Sequence, residues 1–202
     1  MSQAQEAEPL LQDEEYERCL SGAQAAKDEG NAAVKVGKLR EASFHYKKAS
    51  LLLSGCAPTG GNLEKDSFLC MLTKQRRAAT QFPLSQERLA EFTNLNAAVQ
   101  NNLALVHLKL GRYAKGVECA TSVLALPGHG SDAKALLRRA SCYLRLGKTA
   151  EAVADVDAVE SNARATGVPP DTEVANLREE IRLAKEEAKV KEREMCRKMF
   201  VS

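Results

Sequence analysis

A chain of 202 residues, 44% hydrophobic and 28% charged, has room for one ordinary domain or two very small ones, and enough apolar content for a core. Aromatics make up only 4% with no tryptophan, which argues against a β-sandwich or barrel, and 29 Lys and Arg against 27 Asp and Glu is too even for a dedicated nucleic-acid binder. No apolar run approaches the roughly 18 residues of a membrane span, the acidic N-terminus has no apolar signal core, and six scattered cysteines (Cys19, Cys56, Cys70, Cys119, Cys142, Cys196) lack any C-x-x-C pairing, so the expectation is a cytoplasmic, mostly helical protein with reduced thiols and no metal or cofactor.

Residues 1–22 read as an acidic arm, partly helical, with the first fifteen residues frayed. Beyond it the chain repeats itself. AVKVGKLREA, HLKLGRYAKG and YLRLGKTAEA register on Gly37, Gly111 and Gly147, each a glycine that closes a first helix. Seven residues before each glycine stands a small residue (Gly30, Ala104, Ala140), and five after it another (Ala42, Gly116, Ala152). Small side chains at these places let two antiparallel helices cross closely, while Leu39 and Tyr113 fill the space between repeats. The 36-residue interval from Gly111 to Gly147 resembles the tetratricopeptide period of about 34. The expected fold is therefore all-α: three helix-turn-helix repeats at about 23–56, 97–130 and 133–166, making a tetratricopeptide (TPR) domain over 23–166.

An insert, 57–96, separates the first two repeats. APTGG at 57–61 breaks the chain, Leu63, Leu69, Leu72 and Arg76 suggest a helical excursion over 63–80, and Pro83 breaks it again. From Ser85, suited to an N-cap, no Gly or Pro occurs before Gly111, which predicts an unusually long helix to Leu110. PGHGSD at 127–132 punctuates the next junction, with Ser131 or Asp132 as the following cap. The segment 167–202 is expected to be a capping and projecting helix: Val174, Leu177, Ile181, Ala184 and Ala188 make an apolar face, and the charged stretch beyond Lys185 extends into solvent.

No catalytic constellation is present, so the chain does not read as an enzyme. His45 and His107 fall within helices, where a structural or surface role is expected, and His129 sits in a glycine loop open to solvent. The polar residues on the first helix of each repeat are more informative, because those helices line the concave groove of such a superhelix. Lys27 and Asn31 in KDEGN, and Lys134 and Arg138 in DAKALLRRA, are each four apart and share a helix face; Asn102 stands two residues before Ala104.

Here the chain resembles the TPR domains of chaperone cofactors that hold the acidic C-terminus of heat-shock protein 90 or heat-shock protein 70 through a two-carboxylate clamp. The resemblance implies that Lys27, Asn31 and Asn102 hold the main-chain carboxylate, that Lys134 meets the terminal Asp side chain, and that Arg138 contacts the backbone or acidic side chains upstream. Lys109 falls where that family often carries an additional basic residue. KEREMCRKMF at 191–200 is similar to the end of the last helix in FK506-binding-protein and cyclophilin-type immunophilins. It is also similar to the tetratricopeptide repeat protein 9 type, which has a long insert between its first two repeats. The likeness spans about 23–200, implies no isomerase activity, and implies a co-chaperone or adaptor whose insert or distal helix contacts a second protein. The alternative is a scaffold that takes a different protein segment without a carboxylate clamp.

Overall fold

Seven helices follow one another in a computed structural model that describes residues 4–55, 85–167 and 172–200. They are α1 (Ala4–Lys35), α2 (Leu39–Gly55), α3 (Gln86–Lys109), α4 (Tyr113–Leu124), α5 (Ala133–Arg145), α6 (Thr149–Thr166) and α7 (Thr172–Phe200), with no strand among the described residues. The expected breaker at 57–61, the helical excursion over 63–80 and Pro83 lie outside them.

The three aligned glycines build one turn three times. Gly37, Gly111 and Gly147 have φ of 77°, 71° and 75°, a left-handed conformation that a Cβ would strain. In each, the glycine N–H bonds the carbonyl three residues back (Val34, Leu108, Leu144) and the next N–H bonds the carbonyl five back (Ala33, His107, Tyr143). These paired bonds satisfy carbonyls that a helix end would leave without partners. The six small residues around the glycines are all buried.

The chain divides into two units, residues 1–106 and 107–202. In the first, α1 buries Tyr16, Leu20, Ala23, Ala26, Gly30 and Ala33, and α2 buries Ala42, Tyr46, Ala49 and Leu53, each set at three- and four-residue steps. Each fully buried Leu or Val contributes roughly 1.5–3 kcal/mol. Hydrogen bonds tie α3 to both: Tyr16 Oη donates to the Arg88 carbonyl at 2.9 Å, and Gln100 Nε2 to Ser50 Oγ at 3.0 Å. As predicted, α3 is long, and Ser85 caps it, its Oγ accepting from the Arg88 N–H at 3.3 Å. The start of α1 differs from expectation. Rather than fraying over fifteen residues, the helix runs back to Ala4.

The second unit is built around Leu136, Leu137 and Ala140 of α5, Ala152, Val156 and Val159 of α6, and Val174, Leu177 and Ile181 of α7. Asp132 is the cap of α5, its Oδ1 accepting from the Ala135 N–H at 2.8 Å. The apolar face of α7 is seated as predicted through Ile181, with Ala184 half-buried, but Ala188 is exposed. The core ends one turn earlier than the sequence pattern, and residues 185–199 of the helix are all exposed.

Candidate functional site

The first unit brings two of the predicted residues into direct contact. Asn31 is half-buried on α1, and its Oδ1 accepts two hydrogen bonds, from Asn102 Nδ2 of α3 at 3.1 Å and from Tyr46 Oη of α2 at 2.8 Å. Lys27 lies one turn earlier on α1, half-buried, with Nζ 3.0 Å from Gln24 Oε1. Gln24 Nε2 donates to Asp28 Oδ2 at 2.9 Å, and Asn31 Nδ2 makes a long 3.5 Å contact with Asp28 Oδ1. Two carboxamides thus meet where three helices come together, with Lys27 one turn away on α1 and the exposed Asp28 carboxylate beside the Asn31 nitrogen.

Gly30 explains how Tyr46 gets there. A Cβ on Gly30 would lie 2.5 Å from Tyr46 Cε1, far inside contact distance, so the ring occupies the space that any other residue would fill. Sequence reasoning recognised Gly30 as a close-crossing position but missed Tyr46, the side chain that the crossing admits. The available signal was its place four residues after Ala42, on the same buried stripe of α2.

In the second unit Lys134 is exposed in the first turn of α5, and Arg138 is half-buried one turn on. Lys134 has no partner among the described residues, and the positive end of the α5 dipole adds to its attraction for an anion. The adjacent Arg139, which sequence reasoning did not single out, carries the structural load. Its Nε and Nη2 form a paired contact with both oxygens of the buried Asp155 at 2.8 and 2.6 Å, and its Nη1 reaches Thr121 Oγ1 at 3.3 Å. That hydrogen bonding to Asp155 raises the Arg139 pKa. Lys109 is exposed as the last residue of α3. An open cleft of about 370 Å³ in this unit is lined by Leu108, Tyr113, Ser141, Arg145, Glu173, Asn176, Leu177 and Glu180, and none of the predicted residues lines it.

The histidines take structural positions. His107 is 2% exposed, and His45 Nδ1 pairs with Glu29 at 2.9 Å. His129 corrects the expectation of a solvated loop residue: it is half-buried, with Nδ1 3.7 Å from Asp132. Cys19, Cys142 and Cys196 are reduced thiols, and burial pushes the pKa of Cys142 up to about 11. Among the described residues no three His, Cys, Asp or Glu side chains are placed to hold a metal, and no helix is long and apolar enough to cross a membrane.

No family model and no curated protein matches the chain. Among solved structures it is similar to the C-terminal TPR-containing domain of an FK506-binding protein of Plasmodium falciparum, at 20% identity and a TM-score of 0.61, over 88% of this chain and 95% of that one. That likeness concerns the fold. Together with the three glycine-closed turns, it identifies the chain as an all-α tetratricopeptide-repeat fold of three helix-turn-helix repeats followed by a long C-terminal helix.

Proposed function

We propose that the chain is a protein-interaction module, a cytoplasmic co-chaperone or adaptor, that binds the acidic C-terminal peptide of heat-shock protein 90 or heat-shock protein 70. The observation that carries this reading is the hydrogen-bonded Asn31–Asn102 pair one turn from Lys27. With the Asn31 oxygen engaged by Tyr46 and Asn102, its NH₂ is the end that can meet a ligand, having two N–H donors of which only one makes the long contact with Asp28, and an N–H suits a carboxylate. Lys27, Asn31 and Asn102 would take the terminal main-chain carboxylate. Lys134 would take the side chain of the last Asp, Arg138 the acidic groups upstream, and Lys109 an additional contact. The exposed tail of α7 is a candidate surface for a second protein, and no catalytic step is assigned to the chain.

The test is calorimetric titration with the peptide Met-Glu-Glu-Val-Asp as free acid and as C-terminal amide. Micromolar binding of the acid alone is expected, weakening as salt rises. Charge-assisted contacts are worth about 1.5–3 kcal/mol, so Lys134→Ala and Arg138→Ala should each cost about tenfold or more in affinity. Unchanged affinity in both variants would sink the clamp. Equal binding of acid and amide would favour a scaffold that takes an internal protein segment instead.

A further inference from the structure

Tyr46 lies outside the set of six residues read from the sequence, yet it shares with Asn102 the task of holding the Asn31 carboxamide. A carboxamide has two ends, an oxygen that repels a carboxylate and an NH₂ that binds one, and rotation about its last bond exchanges them. At Asn31 the oxygen has two lone pairs and both are used, by Tyr46 Oη at 2.8 Å and Asn102 Nδ2 at 3.1 Å. A flipped Asn31 would set its NH₂ against the Asn102 NH₂, losing that bond, would turn its oxygen toward the Asp28 carboxylate, and would require the Tyr46 hydroxyl to change from donor to acceptor. The Tyr46 hydroxyl is itself held, because the ring is 2% exposed and lodged where Gly30 lacks a side chain. In the dipeptide Gly30-Asn31 the first residue admits the ring and the second accepts its hydroxyl.

We infer that Tyr46 is a positioning residue that, together with the Asn102 NH₂, holds the Asn31 oxygen inward and so presents its NH₂ to a carboxylate. The inference rests on the peptide-binding reading above and adds a residue on a second helix to it. Its consequence is that part of the discrimination for an anion is built by a buried phenol that touches no ligand.

Tyr46→Phe keeps the ring in the Gly30 gap and removes only the hydroxyl. Circular dichroism and a cooperative unfolding transition establish that the variant is folded. In calorimetry with the free-acid Met-Glu-Glu-Val-Asp peptide, the loss of one net hydrogen bond should weaken binding about fivefold. The same change made in an Asn31→Ala background should have no further effect, since Tyr46 acts through Asn31. A residue that merely supports the fold would weaken binding equally in both backgrounds, and that result overturns the inference, as does wild-type affinity in Tyr46→Phe. Failure of the wild-type chain to bind the free acid overturns the peptide reading together with this inference, whereas wild-type binding that Tyr46→Phe leaves unchanged overturns this inference alone.

Discussion

The two units are held together by different chemistry. In the first, the part-buried hydrogen bonds between helices are neutral: Tyr16 to a carbonyl, Gln100 to Ser50, and Asn102 and Tyr46 to Asn31, around a core rich in alanine, while its ionic contacts between helices run to the exposed carboxylates Glu29 and Glu17. In the second, charge pairs join the helices: Arg139 of α5 with Asp155 of α6, Arg178 of α7 with Asp157 and Glu160 of α6, and Arg145 of α5 with Glu180 of α7. Neutral bonds fix direction without using up charge, which leaves Lys27 one turn from amides already oriented. In the second unit Arg139, Arg145 and Arg178 pair with its own carboxylates, and Lys134 is exposed and without a partner among the described residues.

The sharpest way to break this contrast is at Asp155. Its side chain is 7% exposed and answers both Nε and Nη2 of Arg139. Asp155→Ala leaves a guanidinium facing a cavity, and removing one partner of a buried pair costs about 3 kcal/mol or more. Urea unfolding should show that loss with an unchanged slope; a loss under about 1 kcal/mol would mean that the pair is not what joins α5 to α6.

Gly30 tests the first unit in the same way, with a somewhat smaller effect. On helix propensity alone Gly→Ala should gain about 1 kcal/mol. At Gly30 the new methyl meets the Tyr46 ring at 2.5 Å, and overpacking of that kind costs about 1–3 kcal/mol, so the propensity gain is cancelled and net destabilisation of up to about 2 kcal/mol is expected. Gly22 on the same helix is the control. There a Cβ would stand 3.4 Å from Leu52 Cδ1, an ordinary contact, and Gly22→Ala should be neutral or gain up to about 1 kcal/mol. If both variants behave alike, close approach at Gly30 is not what seats Tyr46.

What could be read in advance follows the range of each interaction along the chain. The glycine turns were legible because a left-handed residue leaves its mark at one position, and the length of α3 because nothing breaks the chain between Ser85 and Gly111. The Lys27–Asn31 and Lys134–Arg138 pairs were legible as residues one turn apart. Tyr46 was not, since its bond to Asn31 joins residues 15 apart on different helices. The choice between Arg138 and Arg139 as the structural arginine depends on where Asp155 of α6 arrives. The acidic composition of the first 22 residues hid the buried Tyr16 and Leu20, which continue the stripe through Ala23. At the other end, the alanine pattern of α7 runs on to Ala188, but a helix stays buried only where a neighbour covers it, and cover ends near Ala184.

The smallest expected effects separate two arginines on α7 that look alike by distance. Arg178 reaches across to α6, with Asp157 at 2.7 Å and Glu160 at 2.8 Å. Arg182 makes contacts at least as short, with Glu179 at 2.6 Å and Glu186 at 2.5 Å, but both partners lie on its own helix. The hydrogen bonds to Glu160 and Asp157 raise the Arg178 pKa, and that to Glu179 raises Arg182 while lowering the Glu179 carboxyl. A depressed carboxyl contributes above its ordinary titration range and loses that contribution as pH falls through its lowered value. At the solvated Arg182 cluster there is no buried partner or second helix to register the loss. Arg178→Ala should therefore lower stability by up to about 1 kcal/mol, reduced at high salt. Arg182→Ala should leave the unfolding midpoint where it is at neutral pH and at pH 3 alike. A shift in Arg182→Ala equal to that in Arg178→Ala would show that helix stability within α7, rather than its attachment to α6, holds the end of the second unit.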